Sequence, residues 1–186
     1  MSAPEEMALK VIAHIRTAFP TKFGIPRQSG LVDALESTVV FEPEFRNPDA
    51  LRGLEGFSHL WLIWQFSTVA AEYAAGKSWR PTVRPPRLGG NERRGVFATR
   101  SPYRPNALGL SCVELAGVEN GELIVRGADL LDGTPIFDIK PYLPYVDAHP
   151  DARGGFTDTT KEHALQVECP DTLLCKVPEE KRTALL

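Results

Sequence analysis

Between Lys77 and Arg104 the chain reads KSWRPTVRPPRLGGNERRGVFATRSPYR, and eight of these residues are cations: Lys77, Arg80, Arg84, Arg87, Arg93, Arg94, Arg100 and Arg104. They face a single acid, Glu92, in a chain whose formal net charge is −3. A cationic strip on an otherwise acidic protein repels most cations and selects an anionic partner. Seven of the eight are arginines, and the planar guanidinium fork suits phosphates or carboxylates better than a lysine point charge. Pro81, Pro85, Pro86, Pro102 and Pro105 stiffen the segment by fixing their own φ and extending the residues before them. Trp79, Phe97 and Tyr103 are interleaved with the arginines. The two readings are a preorganised anion-binding loop and a merely solvated face.

A second polar concentration, ADLLDGTPIFDIKPY (Ala128 to Tyr142), places Asp129, Asp132, Asp138, Lys140 and Tyr142 within fifteen residues. The acids either serve the hydrogen bonding of an Asp-Gly-Thr-Pro turn or face a cationic ligand. If the fold brings this turn to the arginine strip, one cleft meets opposite charge demands.

Other chemistries lack their signatures. GxGxxG, GxxxxGK[ST] and GxSxG are absent, which weighs against a dinucleotide fold, a P-loop and a serine hydrolase elbow. The glycine-rich Leu88–Gly95 leads into a strand-like run instead of a helix, so a turn is expected there. Cys112, Cys169 and Cys175 form no CxxC, and Cys112 in an alternating run is expected to be a small buried hydrophobe. His14, His59, His149 and His163 are dispersed and give no local metal motif. The beginning, MSAPEEMALK, has neither the basic start nor the apolar core of a signal peptide, and no run is long enough to span a membrane. A cytoplasmic protein with no metal and no membrane contact is expected.

The elements that must position these residues are short. With 186 residues, 42% hydrophobic and 24% charged, the chain has room for one ordinary domain. ALKVIAHIR (Ala8–Arg16) alternates with period 2 and reads as a strand. Phe19–Gly30 is a loop, Thr38–Phe41 a strand, and Asn47–Gly56 a turn or short helix closed by glycine. FSHLWLIWQFS (Phe57–Ser67) reads as a strand buried on both faces, with His59 a satisfied core residue. Thr68–Lys77 has helix-forming alanines but is too short to persist unaided. Gly95–Arg100 reads as a strand. LGLSCVELAGVE alternates, with Leu108, Leu110 and Cys112 on one side and Ser111, Val113 and Leu115 on the other. Asn120-Gly121 marks a hairpin to Glu122–Leu131, and Pro135–Lys140 is another strand. The tail Asp151–Asp158 is expected to be mobile, His163–Cys169 to form a final strand, and Glu179–Leu186 to begin a helix. Seven or eight short strands without strand–helix alternation predict an all-β fold, a barrel.

The segments FPTKFGIPRQSG, GLEGFSHLWLIW, RPTVRPPRLGGNERRGVFATRSPYRPNALGLS and DLLDGTPIFDIKPYLPY closely resemble the TsaA-like family (YaeB, TrmO). The resemblance spans about residues 9–156. It implies a β-barrel methyltransferase, generally homodimeric, that uses S-adenosylmethionine to methylate N6 of threonylcarbamoyl-adenosine beside the tRNA anticodon, converting t6A37 to m6t6A. In these terms residues 1–7 are a flexible N-terminus, 8–156 the single barrel domain and 157–186 the start of a short C-terminal extension. Bacterial relatives usually continue into a small further domain.

Matching motif positions imply cofactor contacts at Gln28, Ser29, Gly30, Ser67, Thr68, Arg100, Leu110, Arg126, Gly127, Ala128 and Asp129. Asp129 would take the ammonium or the ribose, the backbone of Gln28–Gly30 the adenine edge, and Arg100 the carboxylate. The nitrogen to be methylated belongs to a urea-like group and needs its proton removed, for which Asp132, Asp138 and Tyr142 are candidates by residue type. Arg84, Arg87, Arg93, Arg94 and Arg104 would grip the anticodon loop through its phosphates. The alternatives are a barrel that holds the cofactor or RNA without catalysis, and a methyltransferase for another small substrate.

Overall fold

The computed structural model describes residues 8–86, 91–159 and 170–182. The chain divides into two compact units, one of Met1–Ser78 with Pro105–Tyr142 and one of Trp79–Arg104 with Leu143–Leu186.

The first unit is a closed antiparallel barrel. Its strands are β1 (Ala13–Arg16), β2 (Glu36–Phe41), β3 (His59–Gln65), β6 (Leu108–Glu119), β7 (Glu122–Arg126) and β8 (Pro135–Pro141), in the order β1-β2-β7-β6-β3-β8; β4 (Thr82–Val83) and β5 (Arg94–Gly95) pair with each other in the second unit. Alternation explains the closure. Along β1, β2, β3 and β7 every second residue is buried, and Ile15, Val39, Leu60, Leu62, Leu123, Val125, Leu130 and Ile136 fill the interior at essentially zero exposure. Closure leaves no sheet edge, so these strands expose no unpaired ladder.

Two irregularities set the barrel's faces. Trp64 pairs with Ile136 while Ile63 pairs with Asp138, so Phe137 is an extra residue in β8. The bulge flips the rest of β8 by one position and turns Asp138 outward beside Ile63. Between β6 and β7 the register also slips, from Leu115 to Gly117. The expected Asn-Gly hairpin is present, with Asn120 at φ 53° and Gly121 at φ 78°, the left-handed pair that a two-residue turn needs.

Several expectations change. The first strand covers only Ala13–Arg16, although Ile12 still donates its N–H to Ile136 O at 2.8 Å. β3 is fully buried on one face only; Trp61, Ile63 and Gln65 on the other face are half-buried, and His59 is exposed with Nδ1 3.0 Å from Ser58 Oγ. Cys112, on the outward side of β6, is half-buried. β7 stops at Arg126, where Gly127 takes φ +75° and leaves the ladder. The alanine-rich segment does form a helix, Ser67–Ala74, supported by buried Val69 and by the Glu72–Lys77 ion pair at 2.5 Å.

In the second unit the expected strand Gly95–Arg100 ends at once, with only Gly95 in β5. After β5 the chain closes a 3-10 turn, Val96–Ala98, since Thr99 donates both its N–H (3.1 Å) and its Oγ1 hydroxyl (2.9 Å) to Val96 O. The tail contains a 3-10 turn at Gly155–Thr159, and a short helix covers Glu179–Arg182. The expected turn at Leu88–Gly95 lies partly, and the expected strand His163–Cys169 wholly, outside the described residues. No helix among the described residues is long and apolar enough to cross a membrane.

Candidate functional site

Strand direction alone collects most of the predicted contacts. β1, β3 and β7 end, and β2, β6 and β8 begin, at the same end of the barrel. The segments that leave this end are 17–35, which holds Gln28, Ser29 and Gly30; the start of the helix after β3, which holds Ser67 and Thr68; and 127–134, which holds Gly127, Ala128, Asp129 and Asp132.

The first and third of these segments touch. Gly30 donates its N–H to Gly127 O at 2.9 Å. Both glycines have positive φ, 74° and 75°, and a Cβ on Gly127 would lie 3.2 Å from the N and Cα of Gly30. Only glycine lets the two backbones approach this closely, and the result is a cradle of main-chain groups beside Asp129.

A hydrogen-bonded relay holds Asp129 from within. Buried Trp64 donates Nε1–H to Ser111 Oγ at 2.9 Å, and the Ser111 hydroxyl donates to Asp129 Oδ1 at 2.5 Å. Ser111 is 1% and Trp64 5% exposed. Such a chain fixes the carboxylate's direction, because each hydroxyl rotor has one donor and one acceptor to serve. Trp64 lies flat over Gly109, its direct cross-strand partner, and packs edge-on against Phe66 with centroids 4.3 Å apart. Ala107, at the same end, is buried and held at φ 46°, with its carbonyl accepting the Phe66 N–H at 2.8 Å. A non-glycine residue in that region carries local strain of about 1 kcal/mol or more.

The start of the Ser67–Ala74 helix has no side-chain cap. Its first-turn N–H groups, including those of Ser67 and Thr68, have no partner within the helix and carry the positive end of its dipole.

The remaining predicted residues of the barrel are dispersed. Arg126 pairs across the ladder with both Glu36 (2.7 Å) and Glu114 (3.4 Å), and the hydrogen bond and charge of Glu36, then Glu114, push its pKa up. Its guanidinium lines an acidic cleft of about 510 Å³ with Asp33, Ala34, Glu36 and Glu114. Leu110 is 57% exposed on the outer wall opposite Ile63.

Asp132 accepts the Thr17 N–H at 2.9 Å and lines a groove with His14, Arg16 and Arg46. Asp138, on the outer wall, pairs with Lys140 at 3.0 Å. Tyr142 belongs to the opposite end, where its N–H bonds His59 O at 2.9 Å and its ring meets Trp61 at 5.8 Å. The three candidate bases thus stand in three separate environments.

In the second unit Arg84, Arg93 and Arg100 are exposed. Arg93 donates to Thr82 Oγ1 at 3.0 Å, and Arg94 is ion-paired with Glu92 at 2.6 Å with Phe156 5.7 Å from its guanidinium. Arg104 donates Nη1 to Thr99 O at 2.6 Å and to Val96 O at 3.3 Å. Arg87 lies outside the described residues. Among the described residues no group of three or more His, Cys, Asp or Glu is placed to hold a metal.

Sequence reasoning did not single out Trp64, Gly109 or Ser111. The one available signal is a glycine in an otherwise bulky alternating strand, which often marks a close approach by another group.

Comparison with known proteins bears on this arrangement. The family model for the tRNA-methyltransferase O N-terminal domain matches residues 14–148. The tRNA (adenine(37)-N6)-methyltransferase of Escherichia coli K12 is 46% identical over 160 residues, covering 84% of this chain and 66% of that protein. A protein of Pyrococcus abyssi named "Probable S-adenosyl-L-methionine-binding protein" is 35% identical over 158 residues, covering 85% of this chain and 80% of its own length. A crystal structure of TrmO from Pseudomonas aeruginosa superposes with a TM-score of 0.68 at 42% identity, covering 84% of this chain and 63% of that one. The chain spans less than two thirds of the length of these two bacterial relatives.

Proposed function

The chain belongs to the family defined by the tRNA-methyltransferase O N-terminal domain, and from that premise we propose that it methylates N6 of adenosine 37 in tRNA with S-adenosylmethionine as donor. The observation that carries this reading is the cradle at one barrel end, where the Gly30–Gly127 backbone contact stands beside an Asp129 carboxylate oriented by Ser111.

The donor set fits a sulfonium amino acid nucleoside. Main-chain groups of Gln28–Gly30 suit an adenine edge, Asp129 suits an ammonium or ribose hydroxyls, and the uncapped Ser67–Thr68 turn suits a carboxylate; the Arg100 guanidinium suits a carboxylate by its own chemistry. Ala128 contributes a backbone contact. When bound, S-adenosylmethionine supplies an electrophilic methyl group on a positively charged sulfur. The chain's own residues then hold the acceptor nitrogen in line and take its proton. Asp132, which leaves the same barrel end as Asp129, is the favoured proton acceptor over Asp138 and Tyr142. The finer reading, that the acceptor is threonylcarbamoyl-adenosine, follows the family resemblance: its urea-like nitrogen needs such a base.

The test is incubation with methyl-labelled S-adenosylmethionine and tRNA carrying threonylcarbamoyl-adenosine, followed by nucleoside analysis. Label in the N6-methylated nucleoside is expected. Cofactor binding without transfer at any protein concentration would leave a non-catalytic barrel instead, and transfer independent of tRNA would point to another small substrate.

RNA would be held by phosphate contacts from the exposed Arg84 and Arg93. Arg94 is already neutralised by Glu92 and contributes less. The double variant Arg84→Ala with Arg93→Ala is expected to weaken tRNA binding and reduce the slope of log K against log salt by about 2, with cofactor affinity unchanged; salt titrations of this variant and the wild type read this directly.

The homodimer expectation is supported by the outer wall of β6, β3 and β8, where exposed Leu110 adjoins Ile63 and Trp61. Sedimentation velocity at micromolar protein is expected to give twice the chain mass, and a monomer at all concentrations would remove the dimer from the proposal.

A further inference from the structure

The second unit displays aromatic rings that the phosphate contacts do not use. Phe97 is 73% and Trp79 42% exposed, with ring centroids 6.2 Å apart and planes tilted by 36°. Their support is rigid. Val96, next to Phe97, is 1% exposed and donates its N–H to Pro81 O at 2.9 Å. Thr99 closes the turn under Phe97, and Arg104, tied to Val96 O and Thr99 O, sets its guanidinium 5.9 Å from the Phe97 centroid. An exposed phenylalanine held on a braced turn cannot fold back to hide its surface, so its apolar face stays presented to a partner.

Flanking charge limits what that partner is. Arg80, Arg84 and Arg93 lie within the same excursion, and its single described acid, Glu92, is already paired with Arg94. An apolar protein surface would have to leave those guanidinium groups without counter-charge. Single-stranded RNA satisfies both demands, with a base face for the rings and phosphates for the arginines. Duplex RNA does not, since its bases are stacked on one another.

We infer that Phe97 and Trp79 form a stacking platform for an unpaired nucleobase of the RNA loop, with Arg104 as the positioning residue that braces Phe97. This rests on the RNA substrate proposed above and adds how the loop is recognised: by splayed bases in addition to backbone charge. Stacking of one base contributes enough for its loss to weaken binding roughly 5- to 150-fold.

The experiment is a fluorescence anisotropy titration of a labelled tRNA anticodon stem-loop, and of a fully paired duplex of the same stem, with the 186-residue chain across a salt series. Phe97→Ala is expected to weaken stem-loop binding by about 10-fold or more while leaving the salt slope unchanged, because a ring releases no counterions. Phe97→Trp should retain wild-type affinity, and all variants should bind the duplex equally. Trp79→Ala gives the same reading should Phe97→Ala lose its fold.

If the wild type binds neither RNA, the RNA reading and the platform fail together. If the wild type binds the stem-loop and both alanine variants match it, the platform alone is overturned. Loss of self-association in Phe97→Ala with RNA affinity intact would assign the rings to a second copy of the chain, and also overturns it.

Discussion

Gly109→Ala is expected to lower the stability of the barrel by roughly 2–4 kcal/mol, the sum of an overpacking penalty and a broken buried hydrogen bond. Taken alone, the backbone argues for the opposite sign. Gly109 sits in a regular strand without positive φ, and replacing such a glycine by alanine ordinarily stabilises by about 0.4–1 kcal/mol through the unfolded chain. Sterics reverse this. A Cβ on Gly109 would lie 2.5 Å from Cζ2 and 2.6 Å from Cδ2 of Trp64, and closer still to Cε2.

These atoms are part of a rigid bicyclic ring that is 5% exposed, wedged against Phe66 and bonded to Ser111. The ring can leave only by giving up Ser111, so the damage should reach Asp129 as well. Urea unfolding is the measurement, with a lower midpoint at unchanged m-value expected. The control is a double mutant. Trp64→Leu costs a cavity of its own, yet combined with Gly109→Ala it should recover at least ~1 kcal/mol relative to additivity, since the colliding partner is gone. Additive losses would mean that the ring moves aside freely.

This pair also marks where the sequence stops being readable. The period-2 pattern carried the barrel because β1, β2, β3 and β7 each bury alternate residues around one core, and Asn120-Gly121 announced its turn through local chemistry that needs no partner. What failed depended on distant partners. Phe57–Ser67 looked buried on both faces because aromatic content signals apolarity, not which neighbour covers it. Gly95–Arg100 looked like a strand because its residues alternate, but Thr99 and Arg104 capture the Val96 carbonyl and close a turn.

At the site, the family motifs named Gln28–Gly30 and Gly127–Asp129, and the fold brings those two segments into hydrogen-bonding contact. The Trp64–Ser111 relay was invisible. It joins residues 47 positions apart, and nothing in a tryptophan-bearing strand says that its indole N–H will find a serine across the sheet. The candidate bases Asp132, Asp138 and Tyr142 were grouped by residue type, and the bulge at Phe137 together with strand direction separates them.

Asp129→Asn is expected to weaken S-adenosylmethionine binding by roughly 5- to 10-fold, because a charge-assisted hydrogen bond worth roughly 1.5–3 kcal/mol is replaced by a neutral one worth about 0.5–1.5 kcal/mol. The substitution keeps shape and volume, so it tests charge and little else. Asp129 is half-buried, and its Oδ1 accepts the Ser111 hydroxyl at 2.5 Å. An amide oxygen can take over that acceptor role, leaving the relay intact while the carboxylate charge disappears.

Ser111→Ala tests the complementary half. It keeps the charge but removes the group that aims it, and it leaves buried Trp64 Nε1–H without its acceptor, so a smaller loss of affinity should come with a shifted tryptophan emission spectrum. Calorimetric titration of both variants separates the contributions. If orientation matters through Asp129, the double variant should lose less than the sum of the single losses, since a neutral amide has less to gain from being aimed. Wild-type cofactor affinity in Asp129→Asn would mean that the carboxylate belongs to the barrel alone, and the cradle would then have to hold its ligand by main-chain groups and the Ser67–Thr68 turn.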